Sequence, residues 1–370
     1  MRMNFIDNIR WLCILVLIPY HTFMIYYPGG LQFYIEGQSI FGTSALISAL
    51  SPWFMPLLFS LAGISSYYAL QKRTPLAYTK ERILKLLIPL IAGILLVVPA
   101  QTYIAERFHN GFTGSYFYQY VLFFTGPTNL IGTRGGFTPA HLWFILYLFV
   151  ISMIALPLMI AYKNSKMKFY IDKTPMILLM AMFVLPLVLT PVLNIGMSVG
   201  RYFGFFILGY LFLSTDSLLE KLDKYRIQLL IISMICMIGN LFVFYLYLHD
   251  NLNALAPIFI FIIFRSFYGW AAILAILGFG RHYFNFRNKV TDYLTVSSFP
   301  VYIFHQTWVV VAAYWIFMLT DNAFTQIVLI ILASFVLTYA TYEICKRIPG
   351  LRFLFGIKTK NNTSTNKYFA

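Results

Sequence analysis

The chain has 370 residues, of which 60% are hydrophobic and only 11% charged; a water-soluble protein carries about 25% charged residues, so a soluble enzyme is excluded. Aromatic residues make up 19%, which excludes a disordered chain as well. The formal net charge of +15 invites a nucleic-acid partner, but the placement of the charges points elsewhere, as the topology below shows.

Apolar stretches long enough to cross a bilayer as helices recur from end to end. They predict ten spans, near 11–29, 40–70, 83–101, 141–162, 175–193, 200–213, 228–248, 255–279, 294–319 and 323–345, with 200–213 the shortest. In the first span, Arg10 stands at the inner mouth and His21 near mid-membrane. Eleven residues separate them, which on an α-helix leaves them about 20° apart around the axis and roughly 16 Å apart along it. Cys13, Ile14 and Leu17 lie between them on the same face. An ionisable residue inside the membrane marks a functional position; the plain alternative is an interfacial arginine and a histidine bonded between helices.

The second span contains Pro52, Pro56 and Gly63, so a kink or break is expected near Ser51–Pro56. Arg82 and Lys85, in KERILKLLIP, lie one turn apart where the third span begins. They read either as inner-face positive charge or as a phosphate clamp, with lysine as a point charge and arginine as a fork. The long outer region at about 102–140 is aromatic and Gly-rich; within it Tyr116–Thr125 is too short to span and too apolar to float free. That stretch is expected to lie along the interface or dip back into the protein.

His141 and Trp143, in HLWF, open the fourth span at the outer interface, where aromatic belts are normal. Arg265 falls inside FIIFRSFYGW, and no Asp or Glu occupies the central part of any predicted span. Its expected partner is therefore a backbone carbonyl, water, an aromatic face or a bound anion. In SSFPVYIFHQTW, Ser298, Tyr302 and His305 fall at i, i+4 and i+7 on one helical face. Counted from the inner end of its helix, His305 reaches nearly the depth of His21, so the two could share a cavity; interhelical packing is the alternative. His109, His249 and His282 are expected to face solvent. The tail at 358–370 is polar and reads as disordered, leaving 1–357 as one integral membrane domain.

With the N-terminus in the cytoplasm, only Arg107, Arg134 and Arg201 fall outside and Arg265 within a span; the other 23 of the 27 Lys and Arg lie inside. That is the positive-inside pattern. The basic balance is a topology signal, and no nucleic-acid partner is implied. The fold class is all-α: a polytopic transmembrane bundle of about ten helices, both termini cytoplasmic. Cys13, Cys236 and Cys345 show neither metal-ligand spacing nor a disulfide framework. There is no Walker loop, Gly-x-Ser-x-Gly elbow, zinc motif or Rossmann fingerprint, so no metal and no bound cofactor is expected. No small-residue cleavage site follows the first apolar run, which reads as a retained anchor.

Several segments together resemble the acyltransferase-3 family of integral membrane proteins. FIDNIRWLCILVLIPYHTFMIY resembles its opening, with the family's Arg, ten residues, His arrangement at Arg10 and His21. KERILKLLIPL is similar to its Arg-x-x-Arg element, with Lys85 in place of the second arginine. HLWFILYL resembles its His-Leu-Trp-Phe segment, and VSSFPVYIFHQTW its late Tyr-x-x-His helix through Tyr302 and His305. YEICKRIPGLRFLFG is most similar to the branch implicated in succinylating periplasmic glucans.

The resemblance implies an O-acyltransferase of a bacterial inner or plasma membrane. It would move an acetyl or succinyl group from a cytoplasmic acyl-CoA co-substrate to a hydroxyl of an extracytoplasmic glycan, with glycan-synthesis proteins as further partners. Arg10, Arg82 and Lys85 then suit the phosphate-rich head of the donor. His21 suits a general base or an acyl-histidine relay, with His305 as its partner. His141, Trp143, Tyr302 and Arg265 are candidates for the acceptor or the oxyanion. Two rival readings are a glycan or lipid-linked sugar transporter or flippase, which the aromatic content also suits, and a scaffold subunit of a glycan synthase.

Overall fold

A computed structural model of the protein describes residues 3–28, 33–126, 136–165, 170–195, 197–248 and 255–357. The helices in chain order are α1 (Asn4–Ile25), α2 (Phe41–Leu50), α3 (Phe54–Lys72), α4 (Pro75–Arg82), α5 (Ile88–Leu96), α6 (Val98–Asn110), α7 (Tyr116–Thr125), α8 (Trp143–Ile154) and α9 (Leu156–Lys163). They continue as α10 (Met176–Ala181), α11 (Val184–Val188), α12 (Val199–Leu211), α13 (Asp216–Lys224), α14 (Arg226–Leu248), α15 (Leu255–Tyr283), α16 (Lys289–Phe317), α17 (Ala323–Arg347) and α18 (Pro349–Leu354). The only pairing of strands among the described residues joins Asn194–Ile195 to Met197–Ser198, antiparallel.

Among the described residues, seven helical stretches are long and apolar enough to cross a membrane, or nine if each of two bent helix pairs counts as one. The chain is a multi-pass, all-α membrane protein; the described residues show up to nine of the ten expected spans. The segment at 175–193 holds α10 and α11, a short apolar pair that breaks at 182–183; Pro186, inside α11, has no N–H to give the carbonyl four residues earlier, at Met182. The expected span at 200–213 is α12, which bends by 100° into the charged α13. The expected outer region at 102–140 is also partly helical, since the third span runs on to Asn110 and stops at Gly111, whose φ of 62° is left-handed. Tyr116–Thr125 forms α7, started by Ser115, whose Oγ accepts from the Tyr118 amide. It buries Gln119 and Phe123 and exposes Phe117, Tyr118, Val121 and Phe124. His249, Arg134, Lys166, Lys168 and the tail lie outside the described residues.

The described chain falls into two compact units. The first comprises Met1–Arg10, Ser44–Glu81 and Tyr147–Arg287. In it α3 and α12 cross closely enough that a Cβ on Gly63 would lie 2.0 Å from the Phe206 carbonyl oxygen, and one on Gly209 2.2 Å from that of Ser60. Small residues let two membrane helices approach at their backbones. The break expected near Ser51–Pro56 falls between α2 and α3, at Ser51–Trp53. The Ala49 carbonyl beside it accepts from the Trp53 indole (3.0 Å) and the Tyr268 hydroxyl (2.6 Å).

The second unit comprises Trp11–Thr43, Arg82–Leu146 and Asn288–Ala370. Its centre is α16, which opens on a reciprocal cap: Asn288 Oδ1 accepts from the Thr291 amide and Thr291 Oγ1 from the Asn288 amide, both at 2.9 Å. It packs against α6 and α17 and buries most of its length from Ser297 to Ile316. Around it Ile18, Ile25, Tyr26, Ile104, Val309 and Ile330 form an apolar core.

Candidate functional site

Three histidines from three separate stretches of sequence meet inside the second unit. The rings of His21, on α1, and His305, on α16, lie 5.2 Å apart between centroids. His141 stands edge-on to His305 at 5.1 Å, and Tyr302 lies 5.6 Å from His305. His305 is fully buried and His141 is 5% exposed, whereas His21 is half-buried. His141 is thus not a belt residue. A 3₁₀ turn, Ala140–Leu142, precedes α8 and begins with Ala140 at a left-handed φ of 47°. For a residue with a Cβ that backbone costs roughly 1–3 kcal/mol, and such strain clusters at functional sites.

The hydrogen bonds fix what each ring presents. His305 Nδ1 lies 2.7 Å from the Tyr302 carbonyl, which can only accept, so Nδ1 carries a proton and donates it. In the neutral ring Nε2 is then a bare lone pair, and this atom is buried with no hydrogen-bond partner among the described residues. His21 Nδ1 is also buried without one. A buried polar atom left unsatisfied costs about 1–3 kcal/mol, and here two of them lie on neighbouring rings. His141 differs: its Nε2 donates to the Ile303 carbonyl at 2.9 Å, while Gln101 Nε2 stands 3.4 Å from its Nδ1. The Tyr302 hydroxyl donates to the His141 carbonyl. The N–H of His141 and the hydroxyl of Tyr302 are therefore already engaged. Ser298, the third member of the expected stripe, turns back to the Thr295 carbonyl (3.0 Å).

Arg10 belongs to the first unit; its Nη1 pairs with Asp7 at 2.9 Å and its Nη2 donates to Ser65 Oγ at 2.7 Å. Arg265, in the same unit, donates to Ser51 Oγ (2.6 Å) and Asn240 Oδ1 (3.3 Å), with its guanidinium 5.9 Å from the Phe261 ring centroid. The aromatic face was expected; the two neutral side-chain oxygens were not. They include Ser51 at the break between α2 and α3. Arg82 closes α4, and Lys85 sits in a π-helical turn, Ile83–Leu87, where the Ile88 amide bonds to the Ile83 carbonyl. This wider turn sets the two cations farther round the axis than one α-turn does; such turns often occur at functional sites. Trp143 begins α8, half-buried. His109 is exposed and contacts the Phe33 carbonyl (2.9 Å), and the exposed His282 pairs with Asp223 (2.9 Å).

Gln101 was missed from the sequence. It is fully buried, and its one available signal was a polar amide inside the apolar run LLVVPAQTY. Among the described residues no group of three or more His, Cys, Asp or Glu side chains is arranged to hold a metal ion. The three cysteines are buried, and none forms a disulfide among the described residues.

The acyltransferase domain of the acyltransferase-3 family matches residues 3–343. The chain belongs to that family and is a membrane acyltransferase. No curated protein matches it, and neither does any solved structure.

Proposed function

We propose that this acyltransferase moves an acetyl or succinyl group from a cytoplasmic acyl-CoA to a hydroxyl of an extracytoplasmic glycan, with His21 and His305 as the reacting pair. The observation that carries the reading is the facing of these two rings, each with a buried nitrogen lacking a partner, in a chain of this family. Neutral imidazole takes up and releases a proton near neutral pH, which suits a general base.

In the proposed reaction the acceptor hydroxyl gives its proton to a ring nitrogen of His21 while its oxygen attacks the thioester carbonyl carbon. The tetrahedral intermediate then collapses, the carbon–sulfur bond breaks, and the departing thiolate takes the proton from the imidazolium. The products are an ester and free coenzyme A, and His21 returns to its neutral form. His305 faces the same reactants with its Nε2 lone pair and steadies the charge on His21. In an alternative order a His21 nitrogen attacks the thioester carbonyl, the carbon–sulfur bond breaks and the thiolate takes the ring's proton; the acceptor hydroxyl then displaces the acyl group from the ring and returns a proton to it. His141 and Tyr302 act here as positioning residues, and Trp143 and Arg265 are assigned to the acceptor side.

The donor assignment rests on residue chemistry and on the family segments. Arg10, Arg82 and Lys85 supply cations suited to the phosphates of coenzyme A. The distribution of Lys and Arg favours both termini in the cytoplasm, and the family segments favour a bacterial inner or plasma membrane. The C-terminal YEICKRIPGLRFLFG resembles glucans biosynthesis protein C, which favours succinyl and a periplasmic glucan.

Mass spectrometry of surface glycans from wild-type cells and cells lacking the protein tests this reading. Loss of an ester from an otherwise unchanged glycan is expected. Loss, or internal accumulation, of the whole glycan would instead make the protein a transporter.

A further inference from the structure

Gln101 lies on α6, and every polar atom of its side chain faces the helix or turn that bears a histidine. Its Nε2 donates to Thr307 Oγ1 at 2.7 Å and faces His141 Nδ1 at 3.4 Å, and its Oε1 accepts from Gln306 Nε2 at 3.1 Å. Thr307 Oγ1 passes the chain on to the Val97 carbonyl at 3.3 Å. Gln306 and Thr307 directly follow His305 in sequence. Gln101 is fully buried, and Gln306 and Thr307 are 3% and 8% exposed.

The directions of these bonds are coupled. The Ile303 carbonyl only accepts, so the proton of neutral His141 sits on Nε2 and its Nδ1 needs a donor. Gln101 supplies that donor while a second N–H serves Thr307 and its oxygen serves Gln306. Two donors and one acceptor in a plane are what an amide offers and what a carboxyl, hydroxyl or alkyl group does not. Turned over, the amide would set its oxygen against the His141 lone pair and its nitrogen against the Gln306 amide hydrogens. Such a network is worth keeping only when every member is satisfied.

We propose that Gln101 is a positioning residue that fixes the tautomer of His141 and ties α6 to α16 beside His305, so that the histidine pair is held in one geometry. The proposal rests on the acyl-transfer reading, in which a displacement of about 1 Å near the reacting atoms costs about 100-fold.

The test uses full-length protein in lipid vesicles, with acetyl- or succinyl-CoA as donor and a glucan oligosaccharide as acceptor. Gln101→Leu is expected to lower kcat by about 10- to 100-fold, with the donor KM within about twofold because Gln101 is not among the cations assigned to the donor. In ¹⁵N-histidine NMR spectra, His141 of the wild type shows a protonated Nε2 and a hydrogen-bonded, unprotonated Nδ1; in Gln101→Leu the Nδ1 signal shifts to that of an unbonded nitrogen. Thr307→Val should reproduce part of the loss and Thr307→Ser should restore it, which decides the matter if Gln101→Leu does not fold. Wild-type kcat in folded Gln101→Leu, or equal rates in Thr307→Val and Thr307→Ser, overturns the proposal, as does an unchanged Nδ1 signal. His21→Ala is measured alongside. If it retains transfer, the acyl-transfer reading itself fails; if it loses transfer while Gln101→Leu keeps it, only the positioning role fails.

Discussion

Replacing Tyr302 by Phe removes one oxygen from a side chain that is 3% exposed and leaves the ring to fill the same space. The lost hydroxyl donates to the His141 carbonyl. Leaving a buried acceptor short of a partner costs roughly 1–3 kcal/mol. The left-handed backbone of Ala140, one residue earlier, stores strain of similar size. The Tyr302 bond is thus matched against a turn that relaxes once released, and the whole loss falls on where His141 stands. At about 1.4 kcal/mol per tenfold, the arrangement becomes roughly 5- to 150-fold less populated. The assay is initial-rate acyl transfer at saturating donor by protein in lipid vesicles, with thermal unfolding in parallel. Tyr302→Phe should lower kcat within that range, and Ala140→Gly, which accepts a positive φ without strain, should recover part of it. Unchanged kcat together with an unchanged unfolding temperature would refute the reasoning, since His141 would then be held by something else.

Gly63→Val places a side chain where the Phe206 carbonyl oxygen stands 2.0 Å from the Cβ position. A backbone atom cannot swing aside, so destabilisation of about 1–3 kcal/mol or more is expected, whereas Gly42→Val, with nothing within 4 Å, should leave the unfolding temperature nearly unchanged. Arg10→Ala should weaken acyl-CoA binding, read by calorimetry; unchanged affinity would leave Arg10 as a topology anchor paired with Asp7.

The histidine pair was legible because depth along a membrane helix can be counted in residues: His21 and His305 reach similar depths in their predicted spans, and the structure sets their rings 5.2 Å apart. The proline-rich break near Ser51 was legible for the same local reason. His141 was legible as a candidate for the acceptor or the oxyanion, but its place beside His305 was not, because it follows a left-handed turn at Ala140 and φ is not written in periodicity. Gln101 was hidden by the hydropathy pattern itself. A polar amide ends an apolar window, so the third span was cut at residue 101, one residue before the helix would have been seen to continue. The residue that closed the predicted span is the one that joins α6 to α16. At 175–193 apolar content alone does not reveal that the segment breaks at 182–183 into two short helices.

The most direct test of the histidine chemistry is the mass added to a glucan acceptor by purified protein in vesicles, compared between wild type and His21→Ala shown to be folded and inserted. General-base catalysis contributes about 10²–10⁴-fold. Wild type should add one acyl mass per modified hydroxyl, and His21→Ala should fall by at least the lower of those factors. Transfer by His21→Ala at the wild-type rate would contradict the account.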